Sequence, residues 1–425
     1  MNVKIEKLVY GGDGLAHADG RTVFVPFVLP GEVAAVRLVQ EKKKFARGRV
    51  EALLEPSPLR VAAACAHFAR CGGCHYQHIP YDAQLRFKSE ILRETLSRLG
   101  RVKFEGEIAA HPSPPLGYRN RAQWKVRRLP GGPAPAIGYF EAGSTALCAA
   151  EECPVLSPCL VTALDAFRAL LRAGALASLL EVEAFADAED EKLLVTASFT
   201  SLEGVSFEST AKIVRDAVPG VESLLLHDAS RDRFELIGPG FLHTRAGEHE
   251  YRVGHLSFYQ VNRFLIEDLV RSVTAGAAGK LALDLFAGVG LFSVPLMRSF
   301  ERVMAVEGNP AAARDLDVNL ASPRAQGRGK ASGVNQDVEA FLQHNRETPD
   351  LVLLDPPRAG LSSQAVELLA KMAPLEIRYV SCDPATLARD LGALSPAYEL
   401  VGVELFDLFP QTYHVESLVR LKRRE

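Results

Sequence analysis

The feature that most constrains the fold is a regular alternation of strand-like and helix-like segments from about residue 256 to the C-terminus. Apolar runs such as KLALDLF, RVMAVE and DLVLLD are each followed by a segment with helical spacing. This alternation predicts a parallel, doubly wound sheet covered by helices. Only FPQT and its neighbours separate the last two predicted strands. That gap is too short for a helix and predicts an antiparallel hairpin at the end of an α/β, Rossmann-like sheet.

The first 58 residues have a different pattern, in which short β-like runs alternate with Gly and Asp turns. Closely spaced strands with such turns predict a small, OB-like β-barrel. The barrel carries a basic group at Lys42, Lys43 and Lys44. A basic barrel edge fits binding to a nucleic-acid backbone, although a charged loop exposed to water would have the same composition.

The linker-like sequence PSPLR follows the barrel, and the pattern changes again near residue 256. These two boundaries divide the chain into three predicted domains. These are the barrel at 1–58, a central α+β domain at 59–255 and a catalytic domain at 256–425. The central domain contains YRNRAQWKVRR, in which basic residues interleave with Tyr118 and Trp124. Cations can bind phosphates and flat rings can stack on bases, so this segment predicts an RNA-binding surface. An amphipathic edge strand would look similar.

Acidic residues end three successive strands of the predicted catalytic sheet. The first strand runs into the glycine turn DLFAGVG, Glu307 and Asp337 end the next two strands, and Asp355 begins DPPR after the fourth. Carboxyl ends of parallel strands meet at one edge, where such groups can bind a nucleotide. The turn lacks the third glycine of a dinucleotide fingerprint, which favours S-adenosylmethionine over NAD. Each acid alone is also a common helix cap.

A cysteine ends the fifth predicted strand, in RYVSCDPATLARD. Loops that follow strand ends carry chemistry because a rigid sheet positions them. Cys382 is therefore a candidate nucleophile, and its place at a strand-to-helix turn predicts a lowered pKa. The alternative is a small buried cysteine without a chemical role.

Six of the seven cysteines lie in two short regions. Cys65, Cys71 and Cys74 have the spacing C-x5-C-x2-C, which in a reducing compartment indicates metal ligands rather than disulfides. Four thiolates suit either a [4Fe-4S] cluster or zinc, and the spacing does not choose between them. His67 and His75 are possible ligands in a zinc site.

Five motifs occur in one order along the chain: FYQVN, DLFAGVG, DPPR, SCDPATLARD and HVES. Together they resemble the RNA uracil-C5 methyltransferase family, and the likeness spans the chain. The barrel resembles a TRAM domain, and the cysteines resemble the iron-sulfur site of the 23S ribosomal RNA enzymes. One departure is Leu291 after GVG, where some members have a polar residue that contacts the cofactor.

The resemblance implies specific roles for residues at the matching positions. Cys382 is implied as the nucleophile and Glu416 as the general base, with His414 a weaker alternative for the base. The S-adenosyl-L-methionine site is implied to be lined by Gln260, Phe286, Glu307, Asp337 and Asp355. The [4Fe-4S] cluster is implied to be held by Cys65, Cys71, Cys74 and Cys153, with Cys148 and Cys159 as competing fourth ligands.

The expected activity is methylation of uridine C5 in RNA through an adduct between cysteine and C6, most simply in 23S ribosomal RNA. Addition of a thiolate at C6 makes C5 nucleophilic, so covalent catalysis replaces one difficult methylation step by several easier steps. The open alternatives are a transfer-RNA enzyme, a non-catalytic RNA-binding assembly factor and a zinc-containing oxidoreductase that binds NAD. We expect a cytoplasmic protein, since the N-terminus lacks a secretion signal and no apolar run reaches membrane-spanning length. We also expect a monomer.

Overall fold

The computed structural model describes residues 1–129, 131–132, 134–203, 206–323 and 329–425. The N-terminal region forms strands β1 to β6, at Asn2–Lys4, Lys7–Leu8, Asp13–Ala18, Arg21–Pro26, Val33–Glu41 and Phe45–Glu55. These strands form one sheet in the order β1-β5-β6-β4-β3-β2. Side chains from β1, β3, β4 and β5 meet in one apolar core, so the sheet curls around it as a small barrel requires.

The central region mixes helices with mostly antiparallel strands. It contains α1 (Tyr81–Arg98), β7 (Ala109–His111), β8 (Arg121–Arg128), β9 (Pro135–Phe140), β10 (Leu147–Ala149), α2 (Pro158–Arg172), β11 (Leu179–Ala186), β12 (Leu193–Phe199), α3 (Phe207–Ala217), β13 (Val221–Asp228), β14 (Arg233–Ile237), β15 (Phe241–Ala246) and β16 (His249–Gly254). One sheet has the order β10-β9-β8-β11-β12-β13-β14, and β15 pairs with β16. The apolar face of α2 packs in the same core as this sheet.

The C-terminal region alternates helices and strands as expected. It contains α4 (Ile266–Thr274), β17 (Gly279–Leu285), α5 (Ser293–Leu296), β18 (Phe300–Glu307), α6 (Pro310–Ala321), β19 (Lys330–Asn335), α7 (Val338–His344), β20 (Leu351–Leu354), α8 (Ser363–Met372), β21 (Glu376–Ser381), α9 (Pro384–Leu394), β22 (Tyr398–Phe406) and β23 (Glu416–Arg423). The predicted terminal hairpin is confirmed, because β22 and β23 pair antiparallel.

The order of the C-terminal sheet fixes where a ligand can enter. It is β19-β18-β17-β20-β21-β23-β22-β7, in which β17 to β21 pair parallel with one another and β21 pairs antiparallel with β23. Chain connections diverge between β17 and β20, and a crevice opens at the carboxyl ends of strands beside such a switch point. The strand β7, from the central region, completes this sheet by pairing with β22.

Apolar runs form the centre of the C-terminal sheet because both of its faces are covered by helices. All four residues of β20, with sequence LVLL, are buried. Continuous apolar strands are typical of parallel sheets covered on both sides. No helix in the described residues is both long enough and apolar enough to cross a bilayer.

Candidate active site

A cavity of about 580 Å³ opens at the carboxyl ends of the C-terminal strands. Seven predicted site residues line it together: Gln260, Phe286, Glu307, Asp337, Asp355, Cys382 and Glu416. They come from segments up to 156 residues apart in the chain. The sheet brings them together because parallel strands place their carboxyl ends at one edge.

The glycine turn after β17 forms one wall of this cavity. Phe286 has a φ of +64°, a left-handed conformation that costs free energy in a residue with a Cβ atom and that clusters at functional sites. Gly290 has a φ of +89°, and a Cβ there would lie 2.8 Å from Leu316. A side chain at this position would therefore be both strained and obstructed.

Glu307 supports the turn and also faces the cavity. One carboxylate oxygen accepts a hydrogen bond from the Gly288 amide at 2.8 Å, and the other accepts from the Asn309 amide at 2.6 Å. Each oxygen has a second lone pair, so the carboxylate can also accept from ribose hydroxyl groups. Two amide bonds fix its orientation before any ligand binds.

Asp337 is both a helix cap and a residue of the cavity. Its Oδ1 atom accepts from the Ala340 amide at 3.1 Å and so caps α7, while the residue also lines the cavity. Gln260, which precedes β17 in the chain, is buried and lines the same cavity. Leu291 lines it as well, and its carbonyl accepts the Tyr251 hydroxyl at 2.8 Å.

Cys382 and Glu416 lie side by side because of the strand register. Strands β21 and β23 pair antiparallel, with Ser381 opposite Ser417. Cys382 follows Ser381 and Glu416 precedes Ser417, so this register brings the two residues next to each other. The predicted strand-to-helix turn is also present, since Asp383 caps α9 by accepting from the Ala385 and Thr386 amides.

The prediction of a lowered thiol pKa is wrong. Burial, followed by the charges of Glu416 and Asp355, raises the pKa of Cys382 to about 12, while the charge of Arg358 opposes this shift. The helix N-terminus is outweighed because removal of water disfavours the thiolate and the nearest acids add negative charge. Cys382 is therefore a neutral thiol in the free protein at neutral pH.

The carboxyl groups beside the thiol are also shifted toward their neutral forms. Burial, and then the charge of Asp355, raise the pKa of Glu416 well above its ordinary value, and Arg358 opposes this shift. Burial, followed by repulsion from Asp284, raises the pKa of Asp355 to about 7. Perturbed acids that face one cavity are typical of catalytic sites.

The other candidate base, His414, lies in the same cavity but is a weaker base. Burial, followed by the charge of Arg358, lowers its pKa to about 3. An imidazole with so low a pKa binds a proton poorly, whereas a carboxylate with a raised pKa binds one well. The environment therefore favours Glu416 over His414.

Arg358 is a cavity residue to which the sequence analysis gave no role beyond its place in DPPR. It lines the cavity, and its positive charge acts on Cys382, Glu416 and His414. Its position could have been noticed in the sequence, because a cation directly follows two prolines at the end of a strand. Its effect depends on distances between separate loops, which the sequence does not contain.

We expect Cys382 to react slowly with iodoacetamide at pH 7 and about tenfold faster for each added pH unit up to at least pH 10. The reason is that only the thiolate reacts and that the pKa lies near 12. Mass spectrometry of the Cys382 peptide measures the rate. A plateau below pH 9 would contradict the raised pKa.

A second cavity, of about 110 Å³, is lined by thiols. Five cysteines border it: Cys65, Cys71, Cys74, Cys148 and Cys153. His67 also borders it, whereas His75 packs its ring on Tyr413 with centroids 4.6 Å apart. The Cys159 amide donates to Asp190 at 3.1 Å, away from this group. Of the two competing fourth ligands, the fold places Cys148 at the cavity.

The predicted RNA-stacking role of Tyr118 and Trp124 is wrong, because both side chains are fully buried. Alternate residues of a strand face opposite sides, so Trp124 points into the core while its basic neighbours point outward. Arg121 forms an ion pair with Glu183, and Lys125 forms one with Glu181. Lys42, Lys43 and Lys44 are exposed at the turn between β5 and β6.

Comparisons with known proteins agree with this arrangement. A family model described as tRNA (Uracil-5-)-methyltransferase matches residues 342–424, and a TRAM domain model matches residues 1–50. The chain is 32% identical to the 23S rRNA (uracil(1939)-C(5))-methyltransferase RlmD of Methylococcus capsulatus, over 99% of this chain and 96% of that protein. The Pseudomonas fluorescens protein of the same name is 35% identical, over 98% and 93% of the two chains.

A solved structure is similar over the whole chain. It is the Pyrococcus abyssi tRNA (uracil-54, C5)-methyltransferase in complex with S-adenosyl-L-homocysteine. The TM-score is 0.77 at 26% sequence identity, and the match covers 99% of this chain and 100% of that one. The α/β fold expected from the sequence is thereby confirmed.

Proposed function

The chain belongs to the RNA uracil-C5 methyltransferase family and carries its TRAM domain, and we propose that its substrate is 23S ribosomal RNA. As a member, it uses S-adenosyl-L-methionine to methylate C5 of uridine in RNA. The relatives named as 23S rRNA enzymes cover nearly the whole chain, which supports the ribosomal substrate. The observation that carries the chemistry is the register that puts Cys382 beside Glu416 in one buried cavity.

We propose that the Cys382 thiol loses its proton to solvent and that the resulting thiolate adds to C6 of the uracil ring. The new S–C6 bond places electron density on C5, which then takes the methyl group from the sulfonium of the donor. The C5 proton passes to the ionised carboxylate of Glu416, and the S–C6 bond breaks with its electron pair returning to sulfur, which releases 5-methyluridine and the Cys382 thiolate. Arg358 favours both ionised forms, since its positive charge stabilises the thiolate and the carboxylate.

We propose that the methyl donor lies along the glycine turn. Phe286 and Gln260 would enclose it, Glu307 would accept from the ribose hydroxyls and Asp337 would accept from the adenine amino group. The charge of Asp355 acts on Cys382, so Asp355 would lie near the reacting end of the donor. A donor of this kind would bind in preference to NAD, and titration with S-adenosylhomocysteine and with NAD tests this.

The substrate proposal is tested by assay of both RNA classes. Unmodified 23S ribosomal RNA and unmodified transfer RNA are incubated with labelled S-adenosylmethionine, and 5-methyluridine is mapped by mass spectrometry. We expect label in the ribosomal RNA. Label only in transfer RNA would favour the alternative that the solved Pyrococcus abyssi structure supports. Absence of label in both, with RNA bound, would favour a non-catalytic assembly factor.

We also propose that the thiol-lined cavity holds a [4Fe-4S] cluster. Five cysteines border this cavity, although within the described part of the chain no group of three or more His, Cys, Asp or Glu side chains is arranged to hold a metal ion. Four thiolates suit either an iron-sulfur cluster or zinc, and the resemblance of the cysteine pattern to the family's iron-sulfur site favours the cluster. Cys65, Cys71, Cys74 and Cys153 would be the ligands, with Cys148 as the alternative to Cys153.

The cluster would have a structural role. The amides of His75 and Tyr76 donate to the Gln411 carbonyl at 2.8 Å and 2.9 Å. The segment after Cys74 is thus bonded to the segment that leads to Glu416. A cross-link among the cysteines would hold this segment in place.

Protein purified without oxygen is expected to contain about four iron and four sulfide per chain. Cys153→Ser should lose most of the iron, because a hydroxyl is a poor ligand for the cluster, while the matched variant Cys159→Ser should keep it. Elemental analysis and absorption spectra measure both. Zinc in the wild-type protein, or iron retained in Cys153→Ser but lost in Cys148→Ser, would change the assignment.

The predicted domains at 1–58, 59–255 and 256–425 remain our proposal. The sheets are consistent with them, except that β7 at Ala109–His111 joins the C-terminal sheet. We propose a monomer that works in the cytoplasm, where ribosomal RNA is found and thiols stay reduced.

A further inference from the structure

Tyr10 links the N-terminal barrel to the turn that carries Cys382. It lies between β2 and β3, and its hydroxyl donates to Asp383 Oδ2 at 3.1 Å. The same hydroxyl lies 3.4 Å from the Cys382 carbonyl oxygen. A residue of the predicted RNA-binding barrel therefore contacts the backbone of the candidate nucleophile.

Asp383 transmits this contact to the catalytic turn. Its Oδ1 atom accepts from the Ala385 amide at 2.9 Å and the Thr386 amide at 3.0 Å, while its Oδ2 atom accepts from Tyr10. The carboxylate is thus held on one side by α9 and on the other by the barrel. Since Cys382 directly precedes Asp383, this fixes the direction in which the chain leaves β21.

Two glycines with a left-handed backbone form the turn beside Tyr10, and the second of them lets the barrel approach Tyr413 closely. Gly11 and Gly12 have φ values of +103° and +92°, and a Cβ on Gly12 would lie 3.2 Å from the Tyr413 ring. Tyr10 packs edge-on against Tyr413, with ring centroids 5.7 Å apart. Leu8 extends the contact into a buried apolar cluster with residues of α1. Tyr10 is therefore held at a packed interface.

We propose that Tyr10 is a positioning residue that holds the Cys382 turn through Asp383 and so couples the seating of the barrel to the chemical step. The inference rests on the proposed role of Cys382 as the nucleophile. It gives the barrel a function in catalysis besides affinity for RNA. Loss of the Tyr10 hydroxyl should therefore affect turnover rather than binding.

Tyr10→Phe removes the hydroxyl and keeps the ring. We expect kcat to fall about tenfold, as for loss of a hydrogen bond to a charged group, with KM for RNA and affinity for S-adenosylhomocysteine unchanged. Tyr76→Phe is the matched control, because Tyr76 belongs to the same apolar cluster and its hydroxyl has no partner among the described residues. We expect wild-type kcat from this control.

A double-mutant cycle tests whether Tyr10 acts through Asp383. Asp383→Ser keeps an oxygen that can cap α9 but removes the acceptor of the Tyr10 hydroxyl. The double variant should then have the same kcat as Asp383→Ser, since no contact is left for Tyr10→Phe to remove. If Tyr10→Phe does not fold, Asp383→Ser provides a second test, because it removes the other partner of the same hydrogen bond. In that case Asp383→Ser alone must lower kcat.

The outcomes separate this inference from the proposed function. Wild-type protein that methylates neither RNA class refutes the proposed function. An active wild type with unchanged kcat in Tyr10→Phe refutes the role of Tyr10 alone. Additive losses in the cycle, or a change confined to KM, would also overturn it.

Discussion

Replacement of Cys382 by alanine is expected to lower kcat by at least about 10⁴-fold, because the ring would no longer be activated by covalent addition at C6. Binding of S-adenosylhomocysteine should remain, since the glycine turn and Glu307 lie on other strands. The measurement is single-turnover transfer of labelled methyl groups to unmodified 23S ribosomal RNA. This is one of the two largest effects that the site predicts.

RNA with 5-fluorouridine at the target position should trap the covalent adduct between enzyme and RNA, so that the adduct can be detected directly. The wild-type enzyme should add, transfer the methyl group and then stall, since fluorine cannot leave as a cation in place of the proton. A band that resists denaturation and requires S-adenosylmethionine should appear, and its peptide should contain Cys382. Cys382→Ala should give no such band.

The matched control for this variant is Cys159→Ala, which removes a cysteine outside both cavities and should keep full activity. If Cys382→Ala still methylated uridine, the nucleophile assignment would be wrong. Cys382 would then be a buried thiol, as the alternative interpretation of its motif allows.

Glu416→Gln is expected to lower kcat by about 10²- to 10⁴-fold, the range for loss of a general base. Addition and methyl transfer precede proton removal, so this variant should accumulate a covalent, methylated adduct on ordinary RNA. Gel mobility under denaturing conditions and mass spectrometry of the adduct measure it. Cys382→Ala combined with Glu416→Gln should give no adduct.

The corresponding variant of the weaker candidate base separates the two assignments. His414→Gln should not accumulate an adduct, because burial lowers the pKa of His414 to about 3 and leaves it a poor proton acceptor. An adduct in His414→Gln but not in Glu416→Gln would transfer the role of base to the histidine. Rapid turnover in Glu416→Gln would exclude Glu416 from the step.

The sequence by itself determined the C-terminal fold and the membership of the candidate site. Strand and helix periodicity depends on neighbouring residues, so it can be read along the chain. Groups at the carboxyl ends of parallel strands meet at one edge, so Glu307, Asp337, Asp355 and Cys382 could be expected in one cavity before any coordinates. The short connection before Glu416 similarly predicted the hairpin that brings it to Cys382.

Only the tertiary structure decided the electrostatics and the contacts between distant segments. The pKa of Cys382 is raised rather than lowered because burial and two carboxylates from other strands outweigh the helix N-terminus. Trp124 cannot stack on RNA because its strand turns that face toward the core. Tyr10 reaches Asp383 across 373 residues of chain. Such effects depend on distances and solvent exposure, which arise when separate segments pack together.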